Sequence, residues 1–162
     1  MAGDTFIKIK DCPGESTDDK HKDWIEVDSF STGVSQSGGG SRSTSGGASG
    51  GRCDHMDFQI NKQLDKASPK LAFFCSNGKN IGTVEISLCS ASEDKNEYYL
   101  ITLEDVIVSS VSTMGGGSGK PSESCSFNFG KITWKYTEFD HKTGAKKGAI
   151  ENHWSTVENK GG

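Results

Sequence analysis

The sequence has no long apolar stretch and no excess of positive charge. Its longest apolar run, residues 71–75, is far shorter than the roughly 20 residues that a membrane-spanning helix needs. The 18 lysines and arginines are scattered among 22 aspartates and glutamates, which gives a formal charge of −4. Nucleic acids and anionic membrane surfaces are bound by clustered basic side chains. The composition therefore argues against a nucleic-acid partner and against membrane insertion.

The first residues do not resemble a cleaved secretory signal, which needs roughly 7–15 consecutive apolar residues after a basic start. Instead, Ile7 and Ile9 alternate with Lys8 and Lys10 almost from the beginning, which indicates a strand. We therefore expect cytoplasmic synthesis without a cleaved signal peptide.

The cysteines do not form a C-x-x-C pair, and their number is odd. A reducing cytosol keeps such thiols free. We expect them to be small buried or half-buried filler residues. They are Cys12, Cys53, Cys75, Cys89 and Cys125.

The sequence also lacks the spacings that carry common catalytic chemistry. Its four histidines form no H-E-x-x-H motif and no Cys/His cluster. His21 and His141 lie in charged runs that favour solvated turns. The string Gly115–Lys120 resembles a phosphate-binding loop, but Pro121 and a strand-like sequence follow it, so no helix N-terminus is available. We expect neither enzymatic activity nor a metal or cofactor.

What the sequence does have is a period of two, typical of strands with one buried and one wetter face. The region 98–108 is apolar on both faces, as in a central strand, although Glu104 and Asp105 interrupt it. In 125–139, the apolar residues change phase by one position at Gly130, which predicts a β-bulge at a barrel corner. Many such segments favour a small barrel or sandwich. The alternating segments centre on residues 7–9, 25–27, 56–60 and 84–88.

One short helix is predicted between Pro69 and Ser76. Ser68 can cap its N-terminus, proline suits the first helical position, and Gly78 can end it in the left-handed conformation. A lone helix of this length is marginal in water. It should therefore dock its apolar face, which carries Leu71 and Phe74, against the sheets.

Two segments consist mainly of glycine and serine, namely 37–51 and the shorter 114–122. Such composition typically forms exposed flexible loops. A loop of the first one's length inside a compact domain is usually functional or disordered. With only 31% hydrophobic residues, the chain is also lean for a self-sufficient core. Part of its burial is therefore expected between subunits.

Several strings, read in order, resemble the Hcp (haemolysin-coregulated protein) family of type VI secretion systems. The chain opens with Asp4–Ile9 and continues with Gly14–His21 and Trp24–Val27, which are similar to the family's "D-x-F-I-K-I", "G-E-S-x-D" and "I-x-V" patterns. Further similar strings are Ser35–Gly38, Leu64–Leu71, Cys75–Lys79, Tyr99–Leu103 and Val106–Ser112. Together they extend over essentially the whole chain, as a single domain of residues 1–162.

This resemblance implies a mainly β fold: a small barrel of two antiparallel sheets with one short helix on its side, assembling into a hexameric ring. Rings of this family stack into a tube that a contractile sheath expels behind a spike protein, and they hold effector proteins in the lumen. The implied partners are therefore further copies of the chain, the sheath, the spike and effectors. This export requires no signal peptide.

We expect the Gly/Ser-rich loop at about 37–52 to make the contacts between stacked rings. The residues assigned to it are Ser37, Gly38, Gly39, Gly40, Ser41, Arg42, Gly46, Gly47, Gly50, Gly51 and Arg52. Ser31 and Ser118 are candidate lumen residues in contact with effectors, because a passage for cargo should avoid sticky patches and fixed charge. Ordinary exposed turns remain an equal alternative for both serines.

Two other functions are compatible with the sequence. A secreted, non-enzymatic β-barrel could bind a ligand through its loops, and it would be monomeric and need an export signal. A tube subunit could also carry an effector activity in its C-terminal region, which would need an added domain.

Overall fold

The computed structural model describes residues 3–36 and 51–162. Within them the chain forms antiparallel sheets and one helix. The strands are β1 (Gly3–Ile9), β2 (Ile25–Val27), β3 (Ser29–Ser31), β4 (Val34–Gln36), β5 (Cys53–His55), β6 (Phe58–Gln63), β7 (Val84–Ser90), β8 (Glu97–Glu104), β9 (Ile107–Met114), β10 (Ser122–Asn128), β11 (Lys131–Phe139), β12 (Lys146–Ser155) and β13 (Lys160–Gly161). The helix, α1, is Ser68–Asn77 and lies between β6 and β7.

The larger sheet has seven strands in the order β13-β12-β11-β8-β7-β1-β2. Its inner strands β1, β7 and β8 fall in the alternating or apolar segments that were predicted from the sequence to be strands. The predicted alternation is confirmed in β1, where Ile7 and Ile9 are buried and Lys8 is exposed. In β7 the burial extends to both faces, because the segment 13–24 covers the outer side of Ser87 with His21.

The smaller sheet has four strands in the order β3-β6-β10-β9. In β6, Phe58, Ile60 and Lys62 point inward and alternate with exposed residues. Met56, which was expected to share the buried set, lies before the strand and is 54% exposed. A separate two-stranded ribbon, β4-β5, brings Gln36 opposite Cys53. This ribbon closes the base of the Gly/Ser-rich segment.

The core lies between the two larger sheets and beneath α1. It contains Ile and Val from the seven-stranded sheet, and Phe58, Ile60, Cys125 and Phe127 from the four-stranded sheet. Leu71 and Phe74 are the apolar residues that α1 buries, as predicted. The cysteine prediction is confirmed as well, since Cys12, Cys89 and Cys125 are buried, Cys53 and Cys75 are half-buried, and all five are free.

The helix ends were only partly predicted. Gly78 ends α1 with a φ of 63°, and its amide donates to the carbonyl of Phe74 at 3.1 Å, as expected for a left-handed C-cap. The prediction that Ser68 caps the N-terminus was wrong. The N-cap is Ala67, without a side-chain cap, because the Ser68 hydroxyl lies inward within hydrogen-bond distance of Lys62.

The β-bulge predicted at Gly130 was also wrong. β10 ends at Asn128 in the four-stranded sheet and β11 begins at Lys131 in the seven-stranded sheet, so the phase change marks a crossing between sheets. A second crossing interrupts the expected long strand at 98–108. There Asp105 adopts a φ of 54° between β8 and β9. The irregularity within β10 lies instead between Ser126 and Phe127.

The mainly β class, the antiparallel sheets and the single short helix are thus confirmed for the described residues. Their hydrogen-bonded ladders give three sheets with free edges, so a fully closed barrel is not formed by residues 3–36 and 51–162. Within the same ranges, α1 is too short to cross a membrane.

Candidate functional site

The outer side of the four-stranded sheet is covered by small neutral side chains, a surface that we call the neutral face. It follows from alternation: in β6, β10 and β9, the apolar residues, Lys62 and Glu123 point inward, and mainly serine, asparagine or glutamine points away. Met114 is an exception, since it is exposed on the outer side opposite Ser122. The strand register aligns them in rows across the sheet. The members are Ser29, Ser31, Gln59, Asn61, Gln63, Ser110, Ser112, Ser122, Ser124 and Ser126.

The neutral face carries no formal charge among its own residues, and all but Ser126 are exposed. One carboxylate that adjoins this face belongs to Asp57. This carboxylate accepts hydrogen bonds from the Ser109 hydroxyl at 2.7 Å and from the Asn128 amide at 2.9 Å. Neutral groups that can both donate and accept hydrogen bonds bind passing polar groups without a fixed electrostatic preference.

Ser31 was predicted as a lumen residue, and it lies on this face. It is exposed at the end of β3, opposite Gln59. Ser118 lies elsewhere, in the exposed turn that connects β9 and β10. The structure therefore places the two candidates in different settings, one within a sheet surface and one in a glycine-rich turn.

Most of the predicted stacking loop lies outside the described residues, namely Ser37, Gly38, Gly39, Gly40, Ser41, Arg42, Gly46, Gly47 and Gly50. Gly51 and Arg52 are described and exposed. The Gln36 side chain donates a hydrogen bond to the carbonyl of Gly51, and the Arg52 guanidinium donates one to the carbonyl of Thr156 at 3.3 Å. These bonds tie the base of the loop to its own ribbon and to the end of β12.

A buried ion cluster lies directly behind the neutral face, and the sequence reasoning missed it. The ammonium of Lys62 is 2.8 Å from Asp65 and 3.1 Å from Glu123, and the side chains of Lys62 and Glu123 are about completely buried. Burial by itself lowers the pKa of Lys62, but the hydrogen bonds that Lys62 donates to Asp65 and Glu123 outweigh burial and raise that pKa. The lysine therefore stays charged. Burial has the opposite effect on the two neighbouring thiols. It raises the pKa of Cys12 to about 11, and it also raises the pKa of Cys125.

His21 was predicted to lie in a solvated turn, and this was wrong. Its ring is 5% exposed and stacks on Phe6 with centroids 4.4 Å apart. Its Nδ1 is 2.8 Å from the Asp18 carboxylate, and its Nε2 is 3.1 Å from the Ser87 hydroxyl. The contacts of His21 with β1 and β7 therefore bury it, although its neighbours in the sequence are charged. His141, in contrast, is exposed as expected.

Ser87, His21 and Asp18 have the bonding order of a nucleophile, a base and its orienting acid. The Ser87 hydroxyl is nevertheless fully buried and also donates to Glu97. A substrate cannot reach it without unfolding the covering segment. The cluster is therefore a structural anchor for residues 13–24 on the seven-stranded sheet.

The charge of this anchor is fixed from outside by Lys95. Its ammonium is 2.8 Å from Asp18 and 3.0 Å from Asp4. The hydrogen bond from Lys95, followed by that from His21, lowers the pKa of Asp18 to about 2. The same two carboxylates raise the pKa of Lys95. In residues 3–36 and 51–162, no group of three or more His, Cys, Asp or Glu side chains is arranged to hold a metal ion.

The fold and these surfaces define a class of small antiparallel β proteins whose distinctive features are sheet faces, sheet edges and a loop-bearing ribbon. Comparison with known proteins narrows this class. The family model described as "Type VI secretion system effector, Hcp" matches residues 6–136. Protein hcp1 of Pseudomonas aeruginosa is 38% identical over 162 residues, which cover 98% of each chain.

Solved structures give the same result. A solved type six secretion system protein superposes with a TM-score of 0.92 at 36% identity, covering 99% of this chain and 100% of that one. Hcp1 from Salmonella typhimurium superposes with a TM-score of 0.79 at 30% identity, covering 99% of each chain. The chain belongs to the Hcp family of type VI secretion system proteins, which are secreted by that system.

Proposed function

We propose that this chain is the structural tube subunit of its type VI secretion system: copies join into hexameric rings, the rings stack into a tube, and the tube carries effector proteins in its lumen. The single observation that carries the proposal is the neutral face. A sheet surface of ten uncharged polar side chains on a protein with 25% charged residues is suited to line a passage. Charged or apolar walls would retain cargo too strongly.

The edges of the same sheet support ring formation. Within the described residues, β3 pairs only with β6, and β9 pairs with β10 and, on its other side, only with Asn80 through one bridge at Ile107. A free edge presents unpaired backbone donors and acceptors that can bind another strand. If β3 of one copy lies beside β9 of the next, the neutral faces become continuous around the ring. Such head-to-tail contacts close a ring when the rotation between copies is a simple fraction of a turn.

The ribbon β4-β5 supports stacking in the same way. The Gly/Ser-rich segment connects its two strands, and Gln36, Gly51 and Arg52 make hydrogen bonds next to that segment. Ordering this segment against an adjacent ring costs conformational entropy, so each contact is weak. Several simultaneous contacts per ring then provide the affinity. Contacts with the sheath, the spike and the effectors follow from the same proposal.

Size-exclusion chromatography with light scattering, followed by electron microscopy, tests the assembly. We expect particles of about six chain masses with an annular shape. A chain that stays monomeric at high concentration, with no annular particles, would contradict the proposal and favour the secreted ligand-binding protein instead. Chromatography with candidate effectors then tests the lumen role, because effectors should elute with the rings.

A further inference from the structure

A lysine-rich cleft lies on the side of the molecule opposite the neutral face. Its volume is about 390 Å³. It is bounded by the segment that holds His21, by the start of β8, and by β11 and β12. We call it the lysine cleft, and its charged lining residues are Lys20, Lys95, Lys135, Lys146 and Glu97.

We propose that the lysine cleft binds a carboxylate or phosphate group. Four ammonium groups and one carboxylate line it, although the whole chain carries a charge of −4. The only lining carboxylate, Glu97, already accepts the hydroxyl proton of Ser87 in a hydrogen bond. A cleft walled by low-dielectric groups concentrates the field of such charges and attracts anions.

The four lysines have different roles. Lys95 is held by Asp4 and Asp18, and Lys20 donates to the carbonyl of Asp94, so both are fixed at one wall. Lys135 and Lys146 contact no carboxylate of residues 3–36 or 51–162 within salt-bridge distance. These two ammonium groups are the ones available to an incoming anion.

The remaining lining residues suit a bound oxyanion with an organic body. Trp24 and Phe139 supply aromatic walls, while the Asn96 amide and the Thr137 hydroxyl can donate hydrogen bonds. Two sources can supply the anion: a free carboxylate or phosphate, or acidic side chains of a second copy. The chain itself offers such side chains in Glu26 and Asp28, which are exposed on and just after the edge strand β2.

Lysine acetylation followed by mass spectrometry tests this site on the full chain in any state of assembly. Inorganic phosphate is added at constant ionic strength, with chloride as the control. We expect the acetylation rates of Lys135 and Lys146 to fall about fivefold, as at about four-fifths occupancy. The exposed Lys79 and Lys142 are internal controls and should keep their rates.

Dilution separates the two sources. Protection by phosphate in a dilute, monomeric sample identifies a free anion as the ligand, and it stands whether or not rings form. Protection that grows with protein concentration without phosphate, and that is lost in E26Q/D28Q, identifies a second copy. The proposal is overturned if neither phosphate nor concentration slows acetylation, or if concentration-dependent protection persists in E26Q/D28Q while phosphate has no effect.

A variant pair gives an independent measure of phosphate affinity. K135Q/K146Q removes both available charges and should weaken binding about tenfold in titration calorimetry. K79Q/K142Q makes the same change in net charge outside the cleft and should bind as the unmodified chain does. Equal phosphate affinity in the two variants would contradict a specific site.

Discussion

The Lys62 ammonium lies 3.1 Å from the Glu123 carboxylate, on adjacent strands of the four-stranded sheet and out of reach of solvent. The pair stands directly behind the proposed lumen surface. Removing Lys62 alone leaves the Glu123 charge uncompensated in the core, whereas removing both leaves only Asp65, at the partly exposed side of the cluster, without its partner.

We therefore expect K62M to lower the free energy of unfolding by about 3–5 kcal/mol, measured by urea denaturation. K62M/E123L should recover most of this loss, because no buried charge of the pair remains unpaired. K66M, at an exposed position, is the matched control and should change stability by less than about 0.5 kcal/mol. Equal stability of K62M and K66M would exclude the role assigned to the ion cluster.

Acid should weaken the anchor of residues 13–24 through Asp18. Its pKa is lowered from 3.8 to about 2 in the folded chain, so its ionised form stabilises the fold above pH 3.8. This contribution is lost as the pH falls through about 2. We expect D18N to be less stable at neutral pH and to lose less stability between pH 4 and pH 2, measured by thermal unfolding. D19N, at an exposed neighbour, should follow the unmodified chain.

The backbone of Trp24 and Ile25 lies so close to Gly14, in the "G-E-S" string, that this position has no room for a side chain. A Cβ at this position would collide with the carbonyl oxygen of Trp24 and the backbone of Ile25. The amide of Gly14 also donates to the carbonyl of Asp23 at 2.8 Å. We expect G14A to lower the midpoint of thermal unfolding by several degrees, equivalent to about 1–3 kcal/mol. G148A, where a Cβ meets open space, should have a much smaller effect.

The Gly/Ser-rich loop should be needed for stacking and dispensable for folding. Deleting 38–51 is expected to leave soluble rings but abolish tubes, because the contacts between rings are removed and those within the ring are kept. Light scattering measures the rings and electron microscopy measures the tubes. Replacing the same segment by a glycine–serine linker of equal length tests whether its side chains matter. Tubes of normal length after the deletion would refute this role.

The lumen assignment is tested by adding bulk to its two candidate serines. S31Q and S118Q should each reduce the amount of effector that co-purifies with rings, since a longer side chain narrows or alters the passage. S92Q, in the exposed turn between β7 and β8, is the control. Rings that retain their effector after S118Q would count against the lumen position of that serine, and the same outcome for S31Q would count against the neutral face.

The ion pair of Lys62 and Glu123 could not be predicted as a pair, because sequence periodicity does not show which strands lie side by side. Lys62 follows Phe58 and Ile60 at the same spacing, and Glu123 precedes Cys125 and Phe127, so both lie in phase with buried residues. This phase was a usable signal. Only the register that places Lys62 opposite Glu123 shows that the two charges compensate each other.

The sequence by itself determined the alternating strands β1, β2, β6 and β7, the short helix with its Gly78 end, and the family, because alternation, turn residues and ordered strings are local properties of the chain. Only the tertiary structure decided that Gly130 is a crossing between sheets, that His21 is buried against Phe6 and Ser87, and that ten neutral side chains share one surface. These features depend on contacts between residues far apart in the chain, where burial and pairing outweigh local polarity.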